Sequence, residues 1–202
     1  MSERRGAGRL ELSPEEMRTL GYQVVDLMVE HAATLADRPV NGWGNRAELA
    51  RDLAEPPPEE PRPAAAVLER LTREVLPRFM PVNHPRFFAF VPSPGNFVSA
   101  VADALAAAWN PFVGTWFAGA APAELELVTI DWLRQICGLP TGAGGLFVSG
   151  GSVANLTALG AARHARLHDD PAGAVVYFSD QTHSAVERAL AVLGFRPAQL
   201  RK

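Results

Sequence analysis

Residues Gly145–Leu156 have the sequence GLFVSGGSVANL, in which a short apolar run leads directly into two glycines and a serine. Apolar residues then recur at helical spacing, so the stretch predicts a strand, a tight turn and a helix start. The first N–H groups of a helix lack partners within it and favour an anion. Gly150 and Gly151 have no Cβ to block a phosphate, and Ser152 could both cap the helix and donate its hydroxyl. A plain strand-to-helix turn is the alternative.

A second strand-to-helix transition follows. The apolar run Ala174–Phe178 suits a buried strand, and Ser179–Ser184 (SDQTHS) precedes a helical pattern that closes at Gly194. A further strand is predicted near Gln199. This alternation is typical of the α/β class, with a parallel sheet and helices on its faces. Ligands bind beyond the carboxyl ends of such strands, so one ligand could contact both the Gly-Gly-Ser turn and His183.

The first 80 residues have a different character. Ser13–Glu16 (SPEE) is a helix start with a serine cap, a proline in the first turn and a glutamate three residues after the serine. The helical pattern breaks from residue 37 to residue 63, where Glu55–Pro63 (EPPPEEPRP) predicts an extended polyproline linker. A second helix is predicted over Ala64–Leu76. Two helices and a linker have too little core of their own, so we expect them to pack on something else.

Between these parts lie aromatic and alanine-rich segments. His84–Pro92 (HPRFFAFVP) predicts an extended, buried strand, and Ser93–Pro94 resembles the cap and first turn of a helix that ends at Trp109. Pro122 is predicted in the first turn of the next helix and Gly138 at its C-terminus. Acidic residues early in that helix are expected to be ordinary partners of the helix dipole.

Composition narrows the class of protein. The formal charge of -3 gives no reason to expect nucleic acid or an anionic membrane as a partner, and 48% hydrophobic residues suffice for a core. No apolar run is long enough to cross a bilayer, and Met1–Leu12 lacks a signal core, so a cytoplasmic protein is expected. The single cysteine, Cys137, excludes an internal disulfide and a cysteine metal cluster, and it is expected in the core. The chain has one lysine, Lys202.

Six segments in order are far more specific than any one of them. They are Ser13–Glu16, Arg38–Val40 (RPV), His84–Phe90, Asp131–Leu133 (DWL), Ser149–Leu156 and Ser179–Ser184. Through them the chain, from about Ser13 to Leu200, resembles the pyridoxal-phosphate-dependent decarboxylases of the aromatic amino acid and glutamate group. The resemblance implies fold type I, the aspartate aminotransferase fold. Residues 1–80 would then form a helical segment that wraps a partner subunit, and residues 81–202 the first part of the cofactor-binding large domain.

The resemblance also implies an activity and a site. The activity is that of a carbon–carbon lyase, which releases CO2 from an L-amino acid with pyridoxal 5'-phosphate as cofactor and no metal. The site would be shared between the two subunits of a homodimer. Its residues in this chain would be Gly150, Gly151 and Ser152 at the cofactor phosphate, His183 stacked on the pyridine ring as the catalytic residue, and Phe90, Val91 and Pro92 on the substrate side.

Two departures limit the resemblance. The loop Gly119–Ala123 (GAAPA) differs from the Ser-Pro-rich loop of the aromatic amino acid enzymes, so an aromatic, acidic or diamino acid substrate stays open. The family's Schiff-base lysine, and the aspartate that pairs with the pyridine nitrogen, correspond to positions beyond Lys202, which does not match that lysine's motif. We therefore expect an N-terminal part of such an enzyme that is inactive by itself and marginally stable, with apolar faces partly uncovered.

Two other interpretations remain at this point. The chain could be a non-catalytic, truncated paralogue that pairs with a longer subunit through residues 13–80. It could also be a dinucleotide-binding domain, with Gly150 and Gly151 at its turn and Asp180 on the ribose. The spaced Gly-x-Gly-x-x-Gly pattern of such domains is absent from the turn.

Overall fold

The structure is a computed structural model that describes residues 11–41 and 44–202, in two compact units, Met1–Trp109 and Asn110–Lys202. The domain boundary expected near residue 80 remains a prediction. Residues 1–10 lie outside the described residues. They make up most of Met1–Leu12, the stretch from which a cytoplasmic protein is expected. The described helices and strands are α1 Pro14–Thr34, α2 Arg46–Leu53, α3 Ala64–Arg70, α4 Phe97–Trp109, α5 Trp116–Ile136, α6 Gly151–Leu167, β1 Val176–Tyr177, α7 Ser184–Val192 and β2 Leu200–Arg201.

Helix α1 begins where the sequence predicts. The Ser13 hydroxyl accepts a hydrogen bond from the Glu16 N–H at 3.2 Å, and the Glu16 carboxylate accepts one from the Ser13 N–H at 2.7 Å. These reciprocal bonds satisfy N–H groups that have no partner within the helix. The helix continues into a 3₁₀ turn at Leu35–Asp37, where Leu35 is buried.

The predicted break from residue 37 to residue 63 is wrong in part, because the short helix α2 lies within it. Asn45 caps α2 through its side-chain oxygen, which accepts from the N–H of Ala47 at 2.8 Å and of Glu48 at 3.4 Å. The helix has no buried residue. The polyproline segment Glu55–Pro63 contains neither helix nor strand, in line with the prediction.

An ion network holds this segment to α3. Arg70 donates to the Glu55 carboxylate at 2.5 Å and to Glu74 at 2.8 Å, while Arg62 approaches Glu55 at 3.2 Å. Hydrogen bonds from Arg70 and then Arg62 lower the pKa of Glu55. The helix predicted over residues 64–76 is helical throughout, but it changes to a π turn at Leu71–Val75.

The buried strand predicted at His84–Pro92 is wrong. The segment forms turns and irregular backbone, with Phe88 91% and Val91 96% exposed. Helix α4 begins at Phe97 rather than after Ser93, because Asn96 and Ser99 make the reciprocal capping bonds, at 3.0 and 3.1 Å. It ends at Trp109 as predicted.

Helix α5, in the second unit, is kinked at Gly119, which has non-helical torsions and is buried. Pro122 therefore lies in the first turn of the straight portion after the kink, as the sequence predicts. The helix ends at Ile136, and Gly138 follows with φ 65°, the left-handed conformation that suits glycine. The core placement predicted for Cys137 is wrong, since this C-cap residue is exposed.

Parallel pairing between β1 and β2 confirms the predicted α/β organisation. Val176 lies opposite Leu200 in this pair. The run Gly145–Ser149 has no strand partner among the residues described, although the sequence predicts a strand there. The core of this unit lies at α7 and the residues after it, where Ala185, Ala189, Leu190 and Phe195 are buried. No helix in residues 11–41 and 44–202 is both long and apolar enough for a membrane crossing.

Candidate cofactor site

The turn before α6 has the geometry that the two glycines predict. Gly150 is the N-cap, with φ 86° and ψ 172°, a backbone region that is essentially restricted to glycine. A Cβ built on Gly150 or on Gly151 would meet no atom within 4 Å. The space beside this backbone is open, so a phosphate-sized group could approach the peptide N–H groups directly.

Ser152 does not cap α6 as predicted, because Gly150 occupies the N-cap position and this helix start has no side-chain cap. The N–H of Ala154 bonds to the carbonyl of Gly150 at 3.1 Å. The N–H groups of residues 151–153 precede that bond and are the ones left for an external acceptor. Ser152 is exposed, and its hydroxyl makes no hydrogen bond within the described chain. The arrangement therefore presents backbone donors, a free hydroxyl and the positive end of a helix.

His183 lies at the N-cap of α7. Its Nδ1 accepts a hydrogen bond from the N–H of Ala185 at 3.1 Å, which assigns the proton of a neutral ring to Nε2. This bond orients the imidazole, and the residue is exposed. An oriented, exposed imidazole can present its face to a planar ligand.

The turn and His183 belong to one unit, in which α6 and α7 pack together. A Cβ on Gly160 would lie 3.6 Å from Leu193, and the Arg163 guanidinium donates to the Leu193 carbonyl at 2.6 Å. Gly151 precedes Gly160 by as many residues as Ser184 precedes Leu193, about 13 Å of helix in each case. The two helix starts therefore lie at equal distances along their helices from the contact between Gly160 and Leu193. Equal distances are expected when two parallel helices begin at the same edge of a sheet.

The predicted substrate residues lie in the other unit. Phe90 and Val91 are 81% and 96% exposed, and Pro92 is half-buried. Phe90 has φ 61°, a strained conformation for a bulky side chain. Its ring centroid is 6.4 Å from that of Phe87. The strained aromatic residue lies where the resemblance implies substrate contacts, and strain of this kind is enriched at binding sites.

One positioning contact near the turn was missed by the sequence reasoning. The Glu126 carboxylate, on α5, accepts a hydrogen bond at 3.0 Å from the N–H of Phe147, in the segment that leads into Gly150. The sequence predicts for Glu126, as for the other acidic residues of this helix, only an ordinary interaction with the helix dipole. Asp131 fits that interpretation, since it pairs with Arg134 at 2.7 Å, and this bond lowers the pKa of its carboxyl. No local pattern distinguishes these two acidic residues.

Lys202 makes an ion pair and a ring contact outside the turn before α6. The Lys202 ammonium pairs with the Glu187 carboxylate at 2.9 Å and lies 5.8 Å above the ring of Phe178. Within residues 11–41 and 44–202 no cluster of three or more His, Cys, Asp or Glu residues could hold a metal ion.

Comparison with known proteins identifies the family to which this geometry belongs. The sequence profile of the pyridoxal-dependent decarboxylase conserved domain matches residues 47–202. An aromatic-L-amino-acid decarboxylase of Bacillus atrophaeus is 50% identical over 191 residues, which are 95% of this chain and 40% of the relative. A tyrosine decarboxylase of Oryza sativa subsp. japonica is 38% identical, over 92% of this chain and 37% of the relative. The chain thus spans about 40% of the length of these relatives.

Solved structures show the same similarity in three dimensions. The structure of Oryza sativa TDC with pyridoxal phosphate and tryptamine superposes with a TM-score of 0.86 at 31% identity, over 96% of this chain and 43% of that one. Catharanthus roseus tryptophan decarboxylase in complex with L-tryptophan gives a TM-score of 0.85 at 26% identity, over 96% and 44%.

The fold and the glycine turn therefore define part of a fold type I pyridoxal phosphate enzyme. More narrowly, the chain belongs to the pyridoxal-dependent decarboxylase family, and its cofactor is pyridoxal phosphate. The glycine-lined, uncapped start of α6 fits the phosphate of that cofactor. Family membership favours this interpretation of the turn over the dinucleotide-binding one.

Proposed function

We propose that this chain supplies the phosphate cradle and the ring contact of a decarboxylase that acts on an aromatic L-amino acid. The observation that carries the proposal is the start of α6. This helix end has no side-chain cap, its glycine backbone is open to a ligand, and the Ser152 hydroxyl in its first turn is free. The aromatic preference is supported by the relatives, which are an aromatic-L-amino-acid decarboxylase and a tyrosine decarboxylase.

Each residue of the proposed site has a definite task. The N–H groups that follow Gly150, with the Ser152 hydroxyl, bind the dianionic phosphate and fix one end of the cofactor. His183, oriented by its bond to Ala185, stacks on the pyridine ring and excludes water from that face. Phe90 and Val91 cover the aromatic side chain of the substrate. Both are apolar and exposed in the described chain, so they have free surface for such a contact.

The reaction is the cleavage of the bond between the α-carbon and the carboxylate. Pyridoxal phosphate, when bound, supplies the electron-withdrawing system that makes the cleavage possible. The carboxylate leaves as CO2, its bonding electron pair stays with the α-carbon, and one proton replaces it to give the amine. The residues of this chain hold and orient the reactants, and the binding energy at the phosphate keeps the reacting bond in place.

Subunit pairing belongs to the same proposal. Apolar side chains on α1 and α4 are exposed in the described chain, among them Met17 at 55%, Val98 at 76% and Leu105 at 53%. Exposed apolar surface of this extent is typical of interaction surfaces. A second, identical subunit or a longer one would cover this surface. The assembled enzyme would be cytoplasmic, and this chain alone would be inactive. The truncated-paralogue interpretation predicts the same pairing but no cofactor binding.

The first test measures cofactor binding by the chain itself. Titration with pyridoxal phosphate, followed by its near-ultraviolet absorbance and by tryptophan fluorescence, should saturate, whereas pyridoxal without the phosphate should bind much more weakly. Ser152→Ala should reduce the affinity for pyridoxal phosphate about tenfold through the loss of one hydrogen bond to a charged group. Ser149→Ala, a serine in the same stretch outside the helix, is the matched control and should leave the affinity unchanged.

The outcomes separate the competing functions. Equal affinity for pyridoxal and pyridoxal phosphate would refute the phosphate cradle, and no binding of either would favour the truncated paralogue. Sequencing of the gene beyond the codon for Lys202 then decides the enzyme proposal. A reading frame that continues with a strand aspartate and a lysine would allow CO2 release to be measured with a panel of aromatic, acidic and diamino acids.

A further inference from the structure

His84 is a buried polar residue that the proposed chemistry does not use. It is 3% exposed, and both of its ring nitrogens are hydrogen-bonded. Nδ1 accepts from the N–H of Arg86 at 3.0 Å, and Nε2 lies 3.0 Å from the carbonyl oxygen of Arg38. Since Nδ1 faces a donor, the ring proton is on Nε2, which donates to Arg38. A fully paired, buried imidazole of this kind fixes backbone at two places.

The two bonds of His84 differ in range. The bond to Arg86 is local and belongs to a tight turn, in which the N–H of His84 bonds to the Pro81 carbonyl and the N–H of Phe87 to the His84 carbonyl, both at 2.9 Å. The bond to Arg38 spans 46 residues. It ties the turn to the backbone that follows the 3₁₀ turn after α1.

Neighbouring contacts support this long-range connection. The rings of His31, near the end of α1, and Phe79 are 6.2 Å apart. A cavity of about 170 Å³ between the two segments is lined by residues of both, including Leu35 and Pro81. The end of α1 and the segment before His84 therefore pack together as one cluster, and the His84 side chain forms the hydrogen bond that joins them.

The segment that follows the turn has little else to hold it. Within the described chain, residues 88–95 make no hydrogen bond, and Phe88, Phe90 and Val91 are more than four-fifths exposed. The next fixed point is the Asn96–Ser99 cap of α4. Residues 88–95, which we name the strap, are thus suspended between that cap and the turn that His84 holds.

We propose that His84 is the positioning residue of the substrate side of the site. Its Nε2–H bond to the Arg38 carbonyl fixes the point where the strap begins. It thereby fixes the placement of Phe90, Val91 and Pro92. This inference rests on the proposed function, in which those three residues contact the substrate. His84 acts through the strap and does not touch the reacting atoms.

Two substitutions separate the local bond from the long-range one. In His84→Asn the side-chain oxygen can still accept from the N–H two residues on, but the shorter side chain cannot reach Arg38. In His84→Gln the amide nitrogen reaches out to the position of Nε2 and can donate to Arg38, while the local acceptor is lost. His84→Phe keeps the ring volume and makes neither bond.

The first readout is independent of activity. Nitroxide labels at Asp37→Cys and Val91→Cys, in the full chain with Cys137→Ser, report the distance between the end of the 3₁₀ turn and the strap. The asparagine and phenylalanine variants should broaden and shift the distance distribution, whereas the glutamine variant should keep that of the unsubstituted chain. Equal distributions in the asparagine and glutamine variants, whether both changed or both unchanged, would overturn the proposal.

The second readout uses the enzyme encoded by the complete reading frame. There His84→Asn should raise KM for an aromatic L-amino acid roughly five- to tenfold with little change in kcat, while His84→Gln should restore most of the loss. Pyridoxal phosphate binding should be the same in all variants. A parallel fall of kcat, or equal KM in both variants, would overturn the positioning role. Failure of the unsubstituted enzyme to release CO2 would refute the proposed function, while the label distances would still test the His84 bond.

Discussion

Replacement of Gly150 by alanine tests the backbone conformation on which the phosphate cradle depends. Gly150 has φ 86° and ψ 172°, a combination that residues with a Cβ adopt only under strain. The strain costs about 1–3 kcal/mol, and a Cβ at this position meets no neighbour within 4 Å that could repack. The whole cost therefore comes from the backbone. We expect Gly150→Ala to lower the free energy of unfolding by about 1–3 kcal/mol, measured by urea denaturation of the chain followed by circular dichroism.

Gly160→Ala is the matched control for this experiment. Gly160 lies inside α6 with helical torsions, and its added Cβ would meet Leu193 at 3.6 Å, an ordinary van der Waals distance. Alanine is favoured over glycine within a helix by about 1 kcal/mol, so this substitution should stabilise the chain. The two glycine-to-alanine changes thus have opposite expected signs.

Cofactor titration adds a second criterion to the Gly150 prediction. Gly150→Ala should weaken the binding of pyridoxal phosphate more than that of pyridoxal, because the change affects the backbone proposed to bind the phosphate. An unfolding free energy equal to or above that of the unsubstituted chain would show that the turn does not need the glycine-only conformation. The cradle argument would then be refuted at its first step.

Two further predictions concern contacts outside the turn. Since hydrogen bonds from Arg70 and Arg62 lower the pKa of Glu55, the contact with Arg70 should still be intact at the ordinary glutamate pKa of about 4.3 and be lost only as the pH falls further, through the lowered pKa. NMR titration of the Arg70 side-chain signals should show this loss, and a Glu55 carboxyl that titrates at its ordinary pKa would contradict it. Glu126→Leu should speed hydrogen exchange of the Phe147 amide about tenfold, because it removes the acceptor of that bond. Glu124→Leu, two residues earlier and exposed, should not, and equal rates in the two variants would contradict the positioning role.

Features decided within a few residues could be predicted from the sequence. The start of α1 at Pro14 follows from the Ser13 and Glu16 capping pair, and the left-handed Gly138 ends α5 as expected. The turn at Gly150 was predicted for the same reason, since a glycine pair before a helical pattern has few alternatives. The two helix starts of the second unit, at Gly151 and Ser184, could therefore be placed from the sequence, while the cofactor contacts assigned to them stay predictions.

Features that depend on distant residues could not be predicted. The run His84–Pro92 has the composition of a buried strand, yet strand formation needs a partner strand, which no local pattern supplies. The bonds of His84 to Arg38 and of Glu126 to Phe147 join residues far apart in the chain. Helix α2 was missed for a different reason, because it has only eight residues, and Leu49 and Leu53 are too few large apolar residues to establish a helical period.

The exposed tryptophans give the chain an optical signal of its own. Trp109, Trp116 and Trp132 are 77%, 58% and 59% exposed, so their indoles are in contact with water. Water around an indole shifts its emission to longer wavelengths and leaves it open to collisional quenchers such as acrylamide. Any surface that covers these residues would shift the emission to the blue and slow quenching. Fluorescence can thus report assembly in dilute solution, without a label and at concentrations well below those that sedimentation requires.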